Sequence, residues 1–332
     1  CKNICALACI FYKLCGGGQI YALKSAAALI NRPLWLIEND IMNKDKFFIG
    51  IGPPKTGTTW LYYVLSKHPE IELPRDKEIR YFWAMEYLGK NNFLTNAFGK
   101  HWHYVGKRKK FLPKIKKFIK SLLRGRRIDV DELRWHLKYF IGTQNDDWYE
   151  SLFPSHTLSG DITPKYCELS EEYINRIKNL IPNCKIIISL RDPIDREWSR
   201  VKMNLLKRRN KNSIDEIDKA YVLKHFKNPL QHNVNNYSKL IENWSKYFNK
   251  EQIMVFYYDE LVDNPQSLCD KICTFLEVDN INLKNPKKKF NKGIEQEIPK
   301  IYRDILIDLN YDFVKEFASK NPNKYSLKWL NK

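Results

Sequence analysis

Three short apolar runs along the chain have the character of buried β-strands: "KFFIGIG" (46–52), "KIIISL" (185–190) and "QIMVFYY" (252–258). Because each run is nearly continuous in apolar residues, we predict strands covered on both faces, as in a parallel sheet. Between and after these runs, apolar residues recur at helical spacing, as in "YSKLIENWSKYF" (237–248) and "SLCDKICTFLEV" (267–278). Strands that alternate with helices predict an α/β sandwich built on a central parallel sheet.

The periodicity changes at about residues 84–149, which we interpret as a helical insertion on the α/β core. Within it, "KRKKFLPKIKKFIKSLLRGRR" (107–127) holds eleven basic residues and no acidic one, while its apolar residues keep helical spacing. This pattern predicts a basic amphipathic helix. Two interpretations stay open for it: a solvated face of a lysine-rich protein, or a face that binds a polyanion or a membrane surface.

The chain is predicted to contain one large domain, residues 46–332, preceded by a separate segment, residues 1–45. No apolar run reaches the roughly 18 residues of a membrane span. Because the chain begins with Cys1, we interpret the first segment either as an extension or as the remainder of a truncated anchor.

Composition narrows the class of protein without choosing a partner. Of 332 residues, 43% are hydrophobic, which is typical of a globular protein and not of a disordered one. The formal net charge of +19 predicts attraction to polyanions, whether nucleic acid, anionic lipid or acidic glycan. The eight cysteines include no CxxC pair, so we predict neither a zinc site nor a disulfide framework.

The loop "GPPKTGTTW" (52–60) follows the first apolar run and precedes a helical apolar stripe. A Walker A loop places its lysine directly after the second glycine, but here Thr58 follows Gly57 and the lysine is Lys55, inside the loop. A tight turn between strand and helix still directs backbone N–H groups and a helix N-terminus at an anion. We therefore predict a phosphate-binding loop made of Lys55, Thr56, Gly57, Thr58 and Thr59.

Two motifs resemble those of one family. "PPKTGTTWL" resembles the 5′-phosphosulfate loop of sulfotransferases that use 3′-phosphoadenosine 5′-phosphosulfate (PAPS), and "SLRDPIDREWSRVKMN" (189–204) is similar to their 3′-phosphate motif. The resemblance implies a P-loop NTPase-like three-layer sandwich, PAPS as co-substrate and no required metal. It places Arg191 and Ser199 at the 3′-phosphate, where an arginine fork and a hydroxyl suit a dianion. More loosely, it places Lys292 and Gly293 in a basic loop over the nucleotide.

A third segment supplies the candidate base. "PRDKEIRYFW" (74–83) is similar to the segment that carries the catalytic glutamate in Golgi-type carbohydrate sulfotransferases, and Glu78 matches that glutamate. The resemblance implies that Glu78 takes the acceptor proton and that Lys55 stabilises the departing phosphate. The alternative for Glu78 is an ion pair with a neighbouring base such as Lys77 or Arg80.

"SGDITPKYCEL" (159–169) resembles a further segment that lines the site, which makes Asp161 and Lys165 candidate substrate contacts together with Arg80. Heparan-type enzymes often carry a lysine where Ile162 stands here, so the acceptor contacts of those enzymes are not copied directly. The alternative is a turn fixed by proline, with Tyr166 packed inward.

We thus expect a PAPS-dependent sulfotransferase that modifies a hydroxyl or amine on an acidic or neutral glycan and that recognises no specific nucleic acid. Membrane association would come only through an anchor upstream of Cys1. Two locations remain, the Golgi lumen and the cytoplasm of a microbe. The alternatives are a protein-tyrosine or lipid sulfotransferase, a P-loop kinase-like enzyme, and a non-catalytic polyanion-binding protein.

Overall fold

The structure of the protein is a computed structural model that describes residues 42–89, 91–124, 129–153, 156–206, 211–284 and 296–331. These residues belong to two compact units: a larger one within residues 43–86 and 157–332, and a smaller one that includes Met42 and lies otherwise within residues 87–156. The smaller unit overlaps the predicted insertion at 84–149, whose bounds stay a prediction. Of the predicted N-terminal segment, only residues 42–45 are described.

The larger unit is built on a five-stranded parallel sheet with the spatial order β2-β3-β1-β4-β5. The strands are β1 (Phe47–Ile51), β2 (Ile71–Glu72), β3 (Leu158–Ile162), β4 (Lys185–Leu190) and β5 (Ile253–Tyr257). The three apolar runs are thereby confirmed as β1, β4 and β5, and the predicted α/β fold with a central parallel sheet is confirmed as well.

The apolar pattern predicts neither β2 nor β3. β2 has two residues, and β3 reads "LSGDI", with apolar residues only at its ends. Gly160 in the middle of β3 lies against the ring of Phe48, and a Cβ atom at Gly160 would come within 2.4 Å of that ring. The aromatic side chain of β1 therefore occupies the space that an apolar residue of β3 would otherwise fill.

Helices surround the sheet. In the described residues they are, in chain order, α1 (Thr58–Leu65), α2 (Tyr81–Leu88), α3 (Phe93–Phe98), α4 (Trp102–Leu123), α5 (Val130–Ile141), α6 (Asp146–Glu150), α7 (Glu171–Leu180), α8 (Pro193–Val201), α9 (Lys219–Phe226), α10 (Pro229–His232), α11 (Tyr237–Ser245), α12 (Tyr258–Asp263), α13 (Pro265–Leu276), α14 (Lys300–Lys320) and α15 (Lys324–Leu330). The helices predicted from the patterns at 237–248 and 267–278 are α11 and α13.

The core of the larger unit explains the continuous apolar character of its central strands. All five residues of β1 are buried. On one face of the sheet, Phe48 and Ile187 join Leu61 of α1 and Ile272 of α13 in one apolar cluster. Because the sheet is covered on both faces at β1, every side chain of that strand contributes to burial, at roughly 25 cal/mol per Å² of apolar surface.

The smaller unit contains the predicted basic helix, which is α4. It begins at Trp102, earlier than the predicted 107–127, and residues 125–128 lie outside the described residues. Its apolar face packs on α5, where the ring of Phe111 stacks on that of Phe140 with centroids 3.9 Å apart. Across the described part of the chain, we find no helix with the length and apolar character to span a membrane.

Gly52, the first residue after β1, is the position where the fold leaves least room. Its φ is +139°, and an added Cβ would lie 2.3 Å from the carbonyl oxygen of Ser189 in β4. Gly52→Ala should therefore lower the free energy of unfolding by ~3 kcal/mol or more, measured by denaturant titration, because two central strands would have to separate.

Gly106→Ala is the matched control, since a Cβ there meets nothing within 4 Å. Gly106 lies within α4, so alanine should leave stability unchanged or raise it by up to about 1 kcal/mol. Equal stabilities of the two variants would show that the close approach of Gly52 to β4 is not a constraint on the fold.

Candidate functional site

The described loops that follow β1, β2 and β4 carry predicted site residues and lie at one edge of the sheet. Because every strand pairing is parallel, the carboxyl ends of all strands face the same way. β1 and β4 are neighbours, yet β1 leads towards β2 on one side and β4 towards β5 on the other. A crevice at such a switch point is where open parallel sheets place their ligands.

The conformation of the loop between β1 and α1 is set by its backbone turns and by hydrogen bonds of Thr56. Lys55 has φ +83° and Gly57 has φ +102°, so the chain turns twice through left-handed backbone before α1 begins. The Thr56 side chain is buried, and its hydroxyl donates to the carbonyl of Pro53 at 2.8 Å and lies 2.6 Å from the hydroxyl of Ser189. Thr56, predicted as a phosphate ligand, thus joins the loop to β4 through its side chain.

Arg191 follows β4 and contacts this loop directly. Its Nη1 donates to the carbonyl of Lys55 at 3.2 Å, and its guanidinium lies over the ring of Tyr258 at 4.3 Å from the centroid. The hydroxyl of Tyr237 donates to the Arg191 carbonyl at 2.6 Å. Side chain and backbone of Arg191 are therefore both positioned at the switch point between β1 and β4.

The helix after Arg191 begins with a capped turn. The carboxylate of Asp192 accepts from the backbone N–H of Ile194 at 2.8 Å, and Pro193 occupies the first helical position, a favourable arrangement for a helix start. Ser199 lies farther along this helix, α8, and is half-buried. The Lys55 ammonium lies 3.9 Å from the sulfur of Met203, in the π-helical turn that follows α8.

Arg196 is a residue whose role the sequence reasoning missed. It is fully buried, donates through Nη1 to the carbonyl of Pro54 at 3.3 Å, and donates through Nε to Asn235 at 2.8 Å. It also pairs with Glu197, which pairs with Arg200 on the next turn. The second arginine of "RDPIDR" (191–196) was the available signal, and this arginine supports the loop through the Pro54 carbonyl.

A second row of polar groups follows β2. The Lys77 ammonium lies 3.2 Å from the Thr59 hydroxyl, 3.4 Å from the Thr58 hydroxyl and 3.6 Å from the Glu78 carboxylate. Glu78 also accepts from Arg80, through Nε at 3.0 Å and through Nη2. The ion pairs considered for Glu78 are therefore present. Through Lys77, they connect the Glu78 carboxylate to the threonines at the start of α1. The Glu78 side chain is 23% exposed.

Glu78 and Arg80 are held by an unusual backbone. Both are non-glycine residues with positive φ, +66° and +60°, a conformation that costs of order 1 kcal/mol each and persists where surrounding contacts impose it. The N–H of Arg80 donates to the hydroxyl of Thr163 at 3.3 Å, which ties this segment to the end of β3.

Asp161 is buried and holds the Thr163 hydroxyl that connects the two segments. Its two carboxylate oxygens accept from the hydroxyl of Thr163 at 2.7 Å and from the hydroxyl of Tyr166 at 2.8 Å. Burial, reinforced by Asp161, raises the pKa of Tyr166 well above its usual value, so this hydroxyl remains a donor. The structure places Asp161 beneath the Glu78 segment, with Tyr166 packed inward as the alternative interpretation described.

The remaining predicted residues are placed as follows. Lys165 donates to Glu168 at 2.8 Å and lies over the ring of Trp83, 5.6 Å from its centroid. Lys292 and Gly293 lie outside the described residues. Among the residues that the structure does describe, no group of three or more His, Cys, Asp or Glu side chains is arranged to hold a metal ion.

With this geometry in hand, comparison with known proteins identifies relatives. A model of the sulfotransferase family matches residues 47–282. The chain is 28% identical over 153 residues to the membrane-associated sulfotransferase kil1 of Dictyostelium discoideum, a match that covers 46% of this chain and 22% of that protein. It is 23% identical over 259 residues to the bifunctional heparan sulfate N-deacetylase/N-sulfotransferase 4 of Mus musculus, covering 75% of this chain and 24% of that protein.

Both curated relatives are much longer than the region they share with this chain, which spans less than a quarter of either. Among solved structures, a sulfotransferase from Alicyclobacillus acidocaldarius superposes with a TM-score of 0.53 at 20% identity, covering 86% of this chain and 98% of that one. At this identity, the superposition bears on the fold alone.

His225, whose carbonyl accepts from Arg200 at 3.3 Å, leads to a prediction about the pH dependence of stability. Burial, and secondarily the charge of Arg200, lower the pKa of His225 to about 4 from its ordinary 6.5. Between these values the unfolded chain binds a proton that the folded chain does not, so stability should fall as the pH drops from about 6.5 towards 4. Denaturant titrations at pH 7 and pH 5 should show a smaller loss for His225→Gln than for the unmodified protein. Equal losses would contradict this origin.

Proposed function

Since the chain belongs to the sulfotransferase family, whose model matches residues 47–282, we propose that it moves a sulfuryl group from PAPS to a hydroxyl or amine of a carbohydrate. The observation that carries the proposal is the direct contact between Arg191 and the carbonyl of Lys55, 3.2 Å long. It brings together the two motifs that would read the two ends of an adenosine bisphosphate, at the switch point of the sheet.

We assign the 5′-phosphosulfate to the loop and to the start of α1. The left-handed turns at Lys55 and Gly57, and the absence of a side chain at Gly52, keep the loop close to β4 and leave its backbone turned around the helix start. Thr58 and Thr59 would add hydroxyl donors there. Such a cradle suits a phosphate group because N–H groups and a helix N-terminus both favour negative charge.

We assign the 3′-phosphate to Arg191 and Ser199. The Arg191 guanidinium is held by two contacts, with the Lys55 carbonyl and the Tyr258 ring, which lowers the entropy that it loses when it binds a phosphate. Ser199 lies on α8, the helix that Arg191 precedes. ATP carries no 3′-phosphate, so this pair would separate PAPS from ATP.

For the transfer itself, Glu78 would take the proton of the acceptor while the new bond from sulfur to the acceptor oxygen or nitrogen forms. The bond between sulfur and the bridging oxygen of the donor breaks, and negative charge develops on that oxygen. Lys55 would stabilise this charge, since an ammonium in a sheltered site favours a developing anion. Charges placed in advance cost no reorganisation during the reaction, which is why fixed cations suit this step.

Lys77 would take part in the same site. Its ammonium lies between the two threonine hydroxyls and the Glu78 carboxylate, so it would contribute to phosphate binding on one side and orient the base on the other. It sits at the residue before Glu78, where the sequence suggested only an ion-pair partner. We regard Lys77 as a positioning residue for Glu78 and as a phosphate ligand.

For the acceptor we propose a glycan. One curated relative is named for heparan sulfate N-sulfotransferase activity, and the net charge of +19 suits an acidic or neutral polysaccharide better than a cationic acceptor. Whether oxygen or nitrogen receives the sulfuryl group depends on the acceptor that reaches Glu78.

A thermal-shift comparison tests the donor. Adenosine 3′,5′-bisphosphate at about 100 times its Kd should raise the Tm by on the order of 5 °C without magnesium, because a ligand that binds only the folded state stabilises it. ATP should raise it much less. In Arg191→Met, the ratio of the affinity for the bisphosphate to the affinity for adenosine 5′-monophosphate should fall by about tenfold or more. A stronger response to ATP than to the bisphosphate would overturn the proposed donor.

A pair of neighbouring substitutions tests the base. Glu78→Gln should lower transfer of labelled sulfate from PAPS by at least about 100-fold while bisphosphate affinity stays within about threefold, because the amide keeps its shape but accepts no proton. Lys77→Met should weaken both transfer and bisphosphate binding, because its ammonium contacts the two threonines. Transfer by Glu78→Gln at the unmodified rate would exclude Glu78 as the base.

A further inference from the structure

The solvent-exposed side of α4 carries a row of lysines that the sulfotransferase site does not use. At about 100° per residue, its members fall within an arc about 120° wide, opposite the buried residues Phe111, Ile115 and Phe118. We call this row the lysine stripe, and its members, all exposed, are Lys109, Lys110, Lys116, Lys117 and Lys120.

The charge of the lysine stripe is uncompensated. α4 contains no acidic residue, and within the described parts of the chain none of the five lysines has an ion-pair partner. Some exposed lysines of the larger unit do have such partners, as in the pairs Lys246–Glu171 and Lys324–Asp263. The stripe differs from these pairs because it concentrates five lysines on one face of a single helix that has no acidic residue.

Exposed apolar side chains adjoin the first turns of α4. Trp102, two helical turns before Lys109, lies on the azimuth of the stripe and is 49% exposed. Phe98 and Leu94 of α3 are 70% and 61% exposed. The end of α3 is held against α4, because Nη1 of Arg108 donates to the carbonyl of Asn96 at 3.1 Å and to that of Gly99 at 2.8 Å.

We propose that the lysine stripe, together with Trp102, Phe98 and Leu94, is a surface that docks on a membrane leaflet rich in anionic lipid. Lysines next to such a leaflet gain favourable interaction with its negative surface potential, and aromatic rings favour the boundary between headgroups and acyl chains. A soluble polyanion would engage the lysines but offers no apolar region to the three exposed apolar side chains. The combination therefore favours a lipid surface over an acidic polymer.

The packing of α4 determines how it docks. Its apolar face is occupied by α5, through the cluster of Phe111, Ile115 and Phe118 with Leu137 and Phe140. The helix cannot turn that face to the acyl chains without unfolding the smaller unit. Docking is therefore peripheral, and we expect it to depend strongly on ionic strength.

Vesicle sedimentation of the full chain tests the proposal. Vesicles of phosphatidylcholine with 30% phosphatidylserine, at low salt, should bind the protein, and vesicles of phosphatidylcholine alone should bind it far less. Changing all five lysines of the stripe to Gln should weaken binding by on the order of 1,000-fold, because a loss of roughly fivefold for each lysine near the surface multiplies over the five. Binding that depends on neither the anionic lipid nor the stripe would overturn the proposal.

The matched control removes the same charge from elsewhere. A variant with Gln at five exposed, ion-paired lysines of the larger unit (Lys246, Lys271, Lys320, Lys324 and Lys328) has the same net charge as the stripe variant. It should retain vesicle binding within about tenfold of the unmodified protein. Losses of equal size in the two variants would show that only net charge matters and would overturn the assignment to α4. Unchanged far-UV circular dichroism of both variants establishes that they fold.

The apolar part of the surface is tested separately. Phe98→Ser with Trp102→Ser should weaken binding to the anionic vesicles by about tenfold or more while binding of a soluble polysulfated polysaccharide stays unchanged. Binding to the polysaccharide through the stripe, with no binding to anionic vesicles, would overturn the lipid proposal and assign the stripe to a soluble polyanion. The PAPS site plays no part in these measurements, so their outcome is independent of the proposed sulfotransferase activity.

Discussion

The close contact between the loop after β1 and the strand β4 is the constraint on which the site depends. The hydroxyls of Thr56 and Ser189 lie 2.6 Å apart in a buried environment, and Gly52 leaves no space between its own Cα and the backbone of Ser189. Hydrogen bonds that are sheltered from water restrict geometry more than exposed ones do. This buried contact thus contributes to both the shape of the loop after β1 and its distance from Arg191 at the end of β4.

A cluster of buried charged residues holds the loop after β1 in place, although burying these charges costs free energy. Arg196, Glu197 and Arg200 are nearly excluded from solvent, and desolvation lowers the pKa of Arg200. Burying charged groups is expensive even when they are paired, so such clusters are a weak source of stability. What they provide here is position, since Arg196 binds the carbonyl of Pro54 and connects the loop to Asn235. The apolar core around the sheet therefore stabilises the fold, whereas the buried charged residues fix the position of the loop after β1.

Much of this arrangement could be predicted from sequence because the relevant patterns are local. The continuous apolar runs of β1, β4 and β5 require burial on both faces, and the loop after β1 is recognisable from its glycines and its lysine. β3 could not be predicted, since its Gly160 reflects the ring of Phe48, more than a hundred residues away in the chain. The structural use of Thr56 was hidden for the same reason, because its partner Ser189 becomes a neighbour only in the folded sheet. Asp161 differs, since it accepts from Tyr166 five residues away, and the inward packing of Tyr166 was an alternative that the sequence offered.

The position of Lys77 links the binding of an anion to the protonation of Glu78. One ammonium contacts the hydroxyls of Thr58 and Thr59 and also the carboxylate of Glu78. An anion that arrives at the threonines competes with Glu78 for the same positive charge. The binding of that anion and the binding of a proton at Glu78 are then thermodynamically linked, and each changes the other by the same factor. If the proposed donor binds at these threonines, it would leave the Glu78 carboxylate readier to accept a proton, so Lys77 would couple donor binding to the basicity of Glu78.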